Sequence, residues 1–432
     1  MVLSMSHADW KQIKLRDICD EITVGHVGPM ASEYVDSGIP FFRSQNIKPF
    51  WLDFSDIKFV TPEFHKKLKK SALHPGDVVV VRTGYPGVAT VIPKTLEKSN
   101  CSDLVIIRKS PNIDSIFLVC IFNSQWGQST VSGNLVGAAQ QHFNIGAAKE
   151  VKINIPPLPT QQKIASILSA YTSLIQNNTR RIKILEEMAQ IIYREWFVNF
   201  RFPGHEAVRM VESELGPVPE GWEKKKISDI SILFRGRSYG SDNLVEEGGH
   251  PFLNLKCLDR DGGFRSSGIK RYQGPYKETQ TATEGDIVIA VTDMTQERRI
   301  VAHAARIPRM EEPLSVISMD LVKIVPKEGI YSEYLYGILR HSSFADEIKQ
   351  HANGVNVLHL TPNRIGEYEF YIAPKELRQS YMEIIGPCQE MCDILQLKNA
   401  NLRRTRDLLL PKLISGELDV SELDIRIPEA EA

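Results

Sequence analysis

The sequence lacks any concentrated cysteine motif. Its six cysteines form no Cys-X-X-Cys pair and no cluster with histidine, which argues against a zinc site or a disulfide framework. Cys388 and Cys392 are four residues apart, a spacing that suits a buried helix face as well as a metal, and no partner ligand accompanies them. We expect reduced thiols throughout, and no bound metal. The remaining cysteines are Cys19, Cys101, Cys120 and Cys257.

Long hydrophobic runs are also missing. No apolar stretch approaches the roughly 20 residues that are needed to cross a bilayer. The opening MVLSMSHADWKQIKL has neither a cationic start nor an apolar run, so it does not resemble a secretion signal. The sequence therefore predicts a cytoplasmic protein.

The chain carries almost no net charge. Its 52 basic and 53 acidic residues leave a formal charge of −1, so there is no global basic signature. A nucleic-acid-binding role would depend on local clusters of lysine and arginine, because phosphate attraction acts through such clusters.

Motifs for catalysis are absent as well. The sequence contains no GxxxxGK[ST] phosphate loop, no GxGxxG after a strand, no HExxH and no GxSxG elbow. Carboxylate and lysine pairs such as Glu347 and Lys349 lie in charged helical sequence, which is typical of a solvated face. We therefore expect a chain that is not itself an enzyme.

What the sequence does contain is a long internal repeat. The passage GAAQQHFNIGAAKEVKINIPPLPTQQKIASI begins at Gly137, and GVNVLHLTPNRIGEYEFYIAPKELRQSYMEI begins at Gly354, with a constant shift of 217 positions. Four earlier blocks repeat in the same order with shifts of 209 to 217. Such drift is typical of loop insertions, so we infer a duplication of about half the chain.

The repeat predicts an α+β fold in which two similar mixed α/β domains are separated by two long helices packed as an antiparallel coiled coil. Strand patterns such as DVVVVRTG and GDIVIAVTD occur in both copies. The predicted mixed domains are residues 1–157 and 206–375. The predicted helical regions are residues 158–205 and 376–432.

A heptad seam supports the long helices. Residues 161–200 contain neither proline nor glycine, and apolar positions recur at steps of four and three. Forty residues of helix would span roughly 60 Å. The predicted core positions of the helix pair are Ile164, Leu168, Ile175, Asn178, Ile182, Leu185, Ile192, Trp196, Leu395, Asn399, Leu402 and Leu409.

The second copy of the seam is less regular. Gly386-Pro387 is expected to break or kink it near its start, and Pro411 to end or bend it. If the helices run antiparallel with Ile164 facing Leu413, Asn178 faces Asn399, and a buried asparagine pair fixes register. The alternative is that each asparagine lies at an exposed edge of its helix.

Loops in both copies offer groups that can read DNA bases, because arginine pairs with guanine edges and asparagine or glutamine with adenine edges. We interpret Thr292 as the non-basic counterpart of Arg82. Lys66, Lys67, Lys69 and Lys70, and Lys224, Lys225 and Lys226, are candidates for phosphate contacts. For each single residue, the alternative is a solvated surface side chain. The candidate DNA-binding residues are Arg43, Gln45, Asn46, Arg82, Tyr85, Gln140, Gln141, His142, Asn254, Lys256, Arg265, Thr292, Gln296, Arg298, Arg299, Asn356 and His359.

Three strings resemble the specificity subunit of type I restriction-modification systems. LEEMAQIIYREWFVNFRFPG and LLLPKLISGELDV resemble its two conserved regions, and LGPVPEGWEKKKISDI resembles the start of its second target-recognition domain. The resemblance covers essentially the whole chain. It implies a non-catalytic, DNA-binding subunit that recognises a bipartite target, with one half per domain and a spacer set by the helices.

The resemblance also implies partners and cofactors. The subunit would dock two modification (methyltransferase) subunits that carry S-adenosylmethionine and methylate adenine N6. A restriction subunit would add ATP-driven translocation and nuclease activity, so that S-adenosylmethionine, Mg and ATP would belong to partners and not to this chain. We expect a single copy of this chain in such a hetero-oligomer. Apolar residues on the outer helix faces, namely Ile191, Phe197, Leu408 and Leu410, are candidates for partner docking, and packing against the chain's own domains is the alternative.

Other functions remain open at this point. The chain could serve as the DNA-recognition subunit of another phage-defence assembly, or be a self-contained site-specific methyltransferase or nuclease. The missing motifs argue against the enzyme. A coiled-coil scaffold without any role on DNA is a further alternative.

Overall fold

A computed structural model describes residues 10–135, 142–214 and 216–427. The chain divides into two compact units. The first comprises Met1–Gln176 together with Asn401–Ala432, and the second comprises Asn177–Ala400. Within the described residues, no helix is both long enough and apolar enough to span a membrane.

The first unit contains a four-stranded antiparallel sheet and a five-stranded mixed sheet. In sheet order, the four strands are Ala89–Val91, Val78–Val81, Leu104–Ile107 and Ile22–Val24. The five strands are Tyr34–Val35, Lys58–Val60, Ile39–Phe42, Ser99–Cys101 and Ala72–Leu73. Two further pairs are Lys11–Lys14 with Lys152–Ile155, and Ile47–Lys48 with Trp51–Leu52. The short helices are Leu15–Ile18, Pro62–Lys67, Ser115–Asn123, Gln125–Gly133 and Ile145–Glu150.

The second unit repeats this architecture. Its four-stranded sheet has the order Ser231–Arg235, Leu321–Pro326, Ile287–Ala290 and Ala304–Arg306. Its five-stranded sheet has the order Leu244–Val245, Lys270–Tyr272, His250–Leu253, Ser315–Ile317 and Thr281–Ala282. Three further pairs are Glu223–Lys226 with Glu369–Ile372, Thr292–Asp293 with Leu358–His359, and Met210–Val211 with Val218–Pro219. The short helices are Ile227–Ile230, Ser332–His341, Phe344–Ile348 and Pro362–Gly366.

The duplication inferred from sequence is therefore confirmed at the level of strand order. Strands Val78–Val81 and Leu104–Ile107 of the first unit and Ile287–Ala290 of the second are fully buried. Their uninterrupted apolar character follows from burial on both faces. Ser124 separates two short helices of the first unit, since its hydroxyl caps the second one by accepting a hydrogen bond from the Gly127 amide.

Two long helices run through both units. The first is Leu158–Tyr193, followed by a π-helical turn at Arg194–Val198, and the second is Lys375–Ser415. All twelve predicted core positions are buried or partly buried. Within the first unit, Ile164 and Leu168 share a core with Leu410 and Leu413.

Within the second unit, Asn178 donates a hydrogen bond to Asn399 at 3.0 Å. The Cys392 thiol lies 3.9 Å from the Ile182 carbonyl oxygen, further along the same pair of helices. The residue numbers on one helix rise as those on the other fall, so the antiparallel register is confirmed. The two asparagines are 8% and 2% exposed, which excludes the alternative of exposed helix edges.

The predicted break at Gly386-Pro387 and the predicted end at Pro411 are wrong, whereas a kink or bend at these positions stays a prediction. The helix continues through Gly386-Pro387 and through Pro411 without interruption. An internal proline costs about 3 kcal/mol because it removes a backbone hydrogen bond. Tyr381 and Ile385 before the first site are fully buried in the core of the second unit. Such packing outweighs the local preference of one residue.

Candidate nucleic-acid interface

In each unit, an equivalent backbone hydrogen bond lies at the end of a buried strand. In the first unit, the Phe143 amide donates to the Arg82 carbonyl at 3.1 Å. In the second unit, the Leu360 amide donates to the Val291 carbonyl at 2.8 Å. The loops that carry His142 and His359 therefore meet equivalent strands, and the predicted equivalence of these loops is confirmed. His142 is partly buried and His359 is exposed.

A threonine–aspartate hydrogen bond follows each of these strands. Thr83 donates its hydroxyl to Asp103, and Thr292 donates its hydroxyl to Asp320 at 3.0 Å. Each bond ties the strand end to the turn before the neighbouring strand. The predicted correspondence of Thr292 with Arg82 is therefore wrong by one residue, since Thr292 is the counterpart of Thr83.

Arg82 instead corresponds to Val291, which is 2% exposed. The Arg82 side chain is 15% exposed and forms an ion pair with Asp103 at 3.3 Å. Among the described residues, no hydrogen-bond partner reaches its buried Nε atom. A guanidinium therefore stands in the first unit at a position where the second unit has a buried aliphatic side chain, so the two strand ends differ in chemistry.

The predicted base-reading groups of the first unit share one carboxylate. Arg43 donates to the Asp56 carboxylate at 2.9 Å, and Gln45 donates to the same carboxylate at 2.6 Å. The hydrogen bond from Arg43 lowers the pKa of Asp56, and one from Lys58 lowers it further. Asp56 is thus held ionised and orients both donors at the surface.

Three predicted base-reading residues are buried and bonded within the chain. Asn46 bonds to the Arg43 amide and to the Asp53 carbonyl, both at 3.0 Å. Asn254 bonds to the Gly268 carbonyl at 3.0 Å. Thr292 is committed to Asp320. Their polar groups are used to hold loops together, because a buried polar group needs an internal partner.

The corresponding loop of the second unit carries two exposed cationic side chains. Lys256 and Arg265 are exposed, and the Arg265 side chain donates to the Lys256 carbonyl at 2.8 Å. Lys256 occupies the position of Gln45 in the repeat. A cation therefore replaces a neutral amide at this place.

A second group of predicted residues is brought together by two loops of the second unit. Strand Thr292–Asp293 pairs with Leu358–His359, which joins the loop of residues 294–301 to the loop of residues 351–357. Gln296 donates to the Val355 carbonyl at 2.8 Å, and Arg298 donates to Gln350 at 2.9 Å. Exposed groups here are Gln296, Arg299, Asn356 and His359.

Tyr85 is highly exposed at the tip of its loop in the first unit. The predictions for Gln140 and Gln141 lie outside the described residues.

The two lysine clusters differ in their surroundings. Lys66, Lys67, Lys69 and Lys70 are exposed, and none of them forms an ion pair within the described parts of the chain. Lys224, by contrast, contacts Glu214 and also Glu369, at 2.9 Å for the latter. Lys225 and Lys226 likewise have carboxylate neighbours. Only the first cluster has its charges uncommitted.

Two of the four predicted docking residues are buried, which confirms for them the alternative of packing against the chain's own domains. Phe197 packs against Tyr334 and Tyr381, with ring centroids 4.9 and 5.1 Å away, inside the second unit. Leu410 lies in the core of the first unit. Ile191 and Leu408 are exposed as predicted. Ile184 and Met188, which were not among the predicted residues, are also exposed and follow the same three-and-four spacing as Ile191.

Comparison with known proteins identifies the family. The repeated mixed domains and the two long helices define a duplicated α+β protein. The chain belongs to the family of type I restriction modification DNA specificity domains, whose model matches residues 7–187 and 219–404.

Relatives in sequence agree with that membership, and a solved structure shares the fold. The type I restriction enzyme MjaIX specificity subunit of Methanocaldococcus jannaschii is 24% identical over 427 residues, covering 96% of this chain and 95% of that protein. The HindI specificity subunit of Haemophilus influenzae is 21% identical over 483 residues, covering 95% of this chain and 100% of that protein. The type I restriction-modification S subunit from M. genitalium shares the fold, with a TM-score of 0.60, 14% identity and coverage of 95% of this chain and 98% of that one.

Proposed function

We propose that this chain is the DNA-reading subunit of a type I restriction-modification complex. Each repeat recognises one half of a bipartite target, and the long helices set the spacer. The observation that carries the proposal is that equivalent loops of the two units carry unlike side chains. The first unit has Arg82 where the second has Val291, and it has Gln45 where the second has Lys256. Equivalent loops with different side chains suit two half-sites of different sequence.

The polar groups at these loops divide into two kinds. Arg43, Gln45, Arg82, Gln296 and Arg299 present donors suited to base edges, and they are pre-oriented by carboxylates or carbonyls. The lysines of residues 66–70 form an exposed cationic cluster suited to phosphates, which position a protein on DNA without reading its sequence. The near-zero net charge leaves much of the phosphate attraction to partner subunits.

The proposal includes docking of two modification (methyltransferase) subunits. Ile184, Met188 and Ile191 form an exposed apolar row on the first long helix, and Ile384 and Met391 form one on the second. The antiparallel register puts both rows on the same edge of the seam in the second unit. A row with this spacing suits an amphipathic helix of a partner. S-adenosylmethionine, Mg and ATP would be bound by partner subunits, and the chain itself would remain non-catalytic.

Methylome sequencing tests the proposal directly. A host that lacks other adenine methylation expresses this chain with its modification subunit. We expect a single split motif that carries N6-methyladenine in both halves. Replacing residues 1–155 by the equivalent segment of another specificity subunit should change one half only. A soluble complex that methylates no motif would contradict the proposal.

A further inference from the structure

Four large apolar side chains of the described residues are far more exposed than a core-forming residue normally is. They are Val27, Tyr85, Met294 and Val355, with exposed fractions of 68%, 83%, 68% and 90%. Single exposed apolar residues are common and need no explanation. The position of these four residues in the fold, however, does require an explanation.

In the first unit, Val27 and Tyr85 emerge around the same aspartate. The Asp103 amide donates to the carbonyl of His26, the residue before Val27, at 3.2 Å. The Asp103 carboxylate accepts from Thr83, two residues before Tyr85. The two exposed side chains therefore extend from adjoining loops.

In the second unit, Met294 and Val355 emerge in the same way from two joined loops. Gln296 donates to the Val355 carbonyl at 2.8 Å. Met294 lies two residues after Thr292, which is bonded to Asp320. Tyr85 and Met294 consequently occupy the same position in the repeat, two residues after equivalent threonines.

Internal hydrogen bonds close both loops. Gly84 and Gly87 have φ angles of +84° and +94°, and the Gly87 amide donates to the Val81 carbonyl at 3.0 Å. These contacts close a short hairpin around Tyr85.

In the second unit, the fully buried Asp293 holds the loop. Its carboxylate accepts from the amides of Thr295 at 2.9 Å, Ile300 at 2.8 Å and Val301 at 3.2 Å. Burial alone raises the pKa of Asp293, but these hydrogen bonds together lower it below its ordinary value. The carboxylate thus stays ionised, and Met294 is presented from a fixed loop.

An exposed apolar tip on a loop that also carries polar donors suits the stacked bases of a nucleic acid. Arg82 lies on the same loop as Tyr85, and Gln296, Arg298 and Arg299 lie on the same loop as Met294, so each tip belongs to a loop that also carries groups able to bind phosphates or base edges. Apolar side chains that insert between base steps unstack them locally, and a rigid loop loses little entropy when it does so.

We propose that Tyr85 and Met294 are wedge residues, each of which stacks into a base step of the half-site read by its own unit. This inference rests on the proposed function and adds to it. Unstacking one base in each half lowers the energy needed to extrude a base for modification by a partner enzyme, because extrusion begins with loss of stacking.

The test uses the complex of this chain with its modification subunits and a duplex that contains the motif identified by methylome sequencing. One duplex carries 2-aminopurine in place of the methylated adenine of the first half, and another carries it in the second half. Fluorescence of 2-aminopurine rises when the base leaves the stack. We expect a rise in both halves with the wild-type chain.

The variants separate the two tips. Tyr85→Ala should abolish the rise in one half only and Met294→Ala in the other half only, with a loss of affinity of about tenfold or more. Tyr85→Phe and Met294→Leu should retain the rise, since they keep an apolar wedge. Ile116→Ala and Ile232→Ala, which truncate exposed apolar residues elsewhere in the two units, should behave as wild type.

The outcomes distinguish the wedge from the proposed function. If both alanine variants give the wild-type rise in both halves, the wedge is wrong while specific DNA recognition stands. A wild-type complex that binds its motif without any rise leads to the same conclusion. If the wild-type complex does not prefer its motif over unrelated DNA, the proposed function and the wedge fail together.

Discussion

Asn178 and Asn399 form a buried hydrogen bond of 3.0 Å between the two long helices. Asn399 also donates to the Thr179 hydroxyl at 3.3 Å. Each asparagine occupies a seam position that is otherwise apolar. A shifted register would place an amide opposite an aliphatic side chain and leave its polar groups without a partner, so the pair favours one alignment of the helices.

Removing one member of the pair should cost more than removing both. Asn178→Leu leaves the buried Asn399 amide without its main partner, and we expect a loss of about 1–3 kcal/mol in the free energy of unfolding. The double variant Asn178→Leu/Asn399→Leu should recover most of this loss. Urea unfolding of the four chains measures the coupling energy. Additive effects of the two substitutions would contradict the pairing.

A buried ion pair fastens a sheet to the second long helix within the second unit. Arg306 contacts both carboxylate oxygens of Asp393, at 2.9 and 2.7 Å. Asp393→Ala should lower the free energy of unfolding by about 3–5 kcal/mol, because it leaves a largely buried guanidinium uncompensated. The control Glu284→Ala breaks the exposed pair with Arg309 and should cost less than about 1 kcal/mol. Thermal unfolding compares the two, and equal losses would refute this account.

His341 should make the second unit sensitive to acid. Burial, with the positive charges of Arg340 and Arg194, lowers the pKa of His341 to about 3. The unfolded chain takes up this proton near its ordinary pKa of about 6.5, so the unfolded state binds more protons between these values. Stability is therefore lost as the pH falls below about 6.5, by up to about 2 kcal/mol at pH about 5.

The variant His341→Leu tests the pH dependence separately from packing. It should show a flatter change of the urea midpoint between pH about 7 and about 5 than the wild type, whatever its stability at neutral pH. An identical change in both proteins would rule out His341 as the source.

Charge on the exposed helix row should disrupt partner docking. Ile191→Asp places a carboxylate in the row formed with Ile184 and Met188, and we expect loss of co-purification with the modification subunit. The chain itself should remain folded, because Ile191 is 60% exposed. Ile232→Asp, at a similarly exposed site on a sheet edge, serves as the control. Unchanged co-purification of the Ile191 variant would place docking elsewhere.

The helix pair should set the spacer of the target. One heptad inserted after Ile175 in the first long helix, and another before Leu402 in the second, preserves the seam and adds roughly 10 Å. At 3.4 Å per base pair, we expect a spacer about three base pairs longer. Methylome sequencing measures it directly, with an unchanged spacer contradicting the role of the helices.

The sequence by itself determined the duplication, the long helices and the asparagine pair. Each of these depends on a period or a shift along the chain, such as 217 positions between His142 and His359. Periodic patterns can be recognised in the sequence alone because a helix or strand buries the same face at regular intervals. The partners of Asn178 could therefore be inferred without coordinates.

Tertiary structure alone decided the rest. Pro387 stays inside a helix because the residues around it pack against a core that is distant in sequence. Asn46 and Asn254 are buried by loops, although asparagine is a residue type typical of a recognition surface. The loops that carry Val27 and Tyr85 are both bonded to Asp103, which is distant from them in sequence. Non-local contacts of this kind leave no periodic trace, since burial depends on which segments the fold brings together.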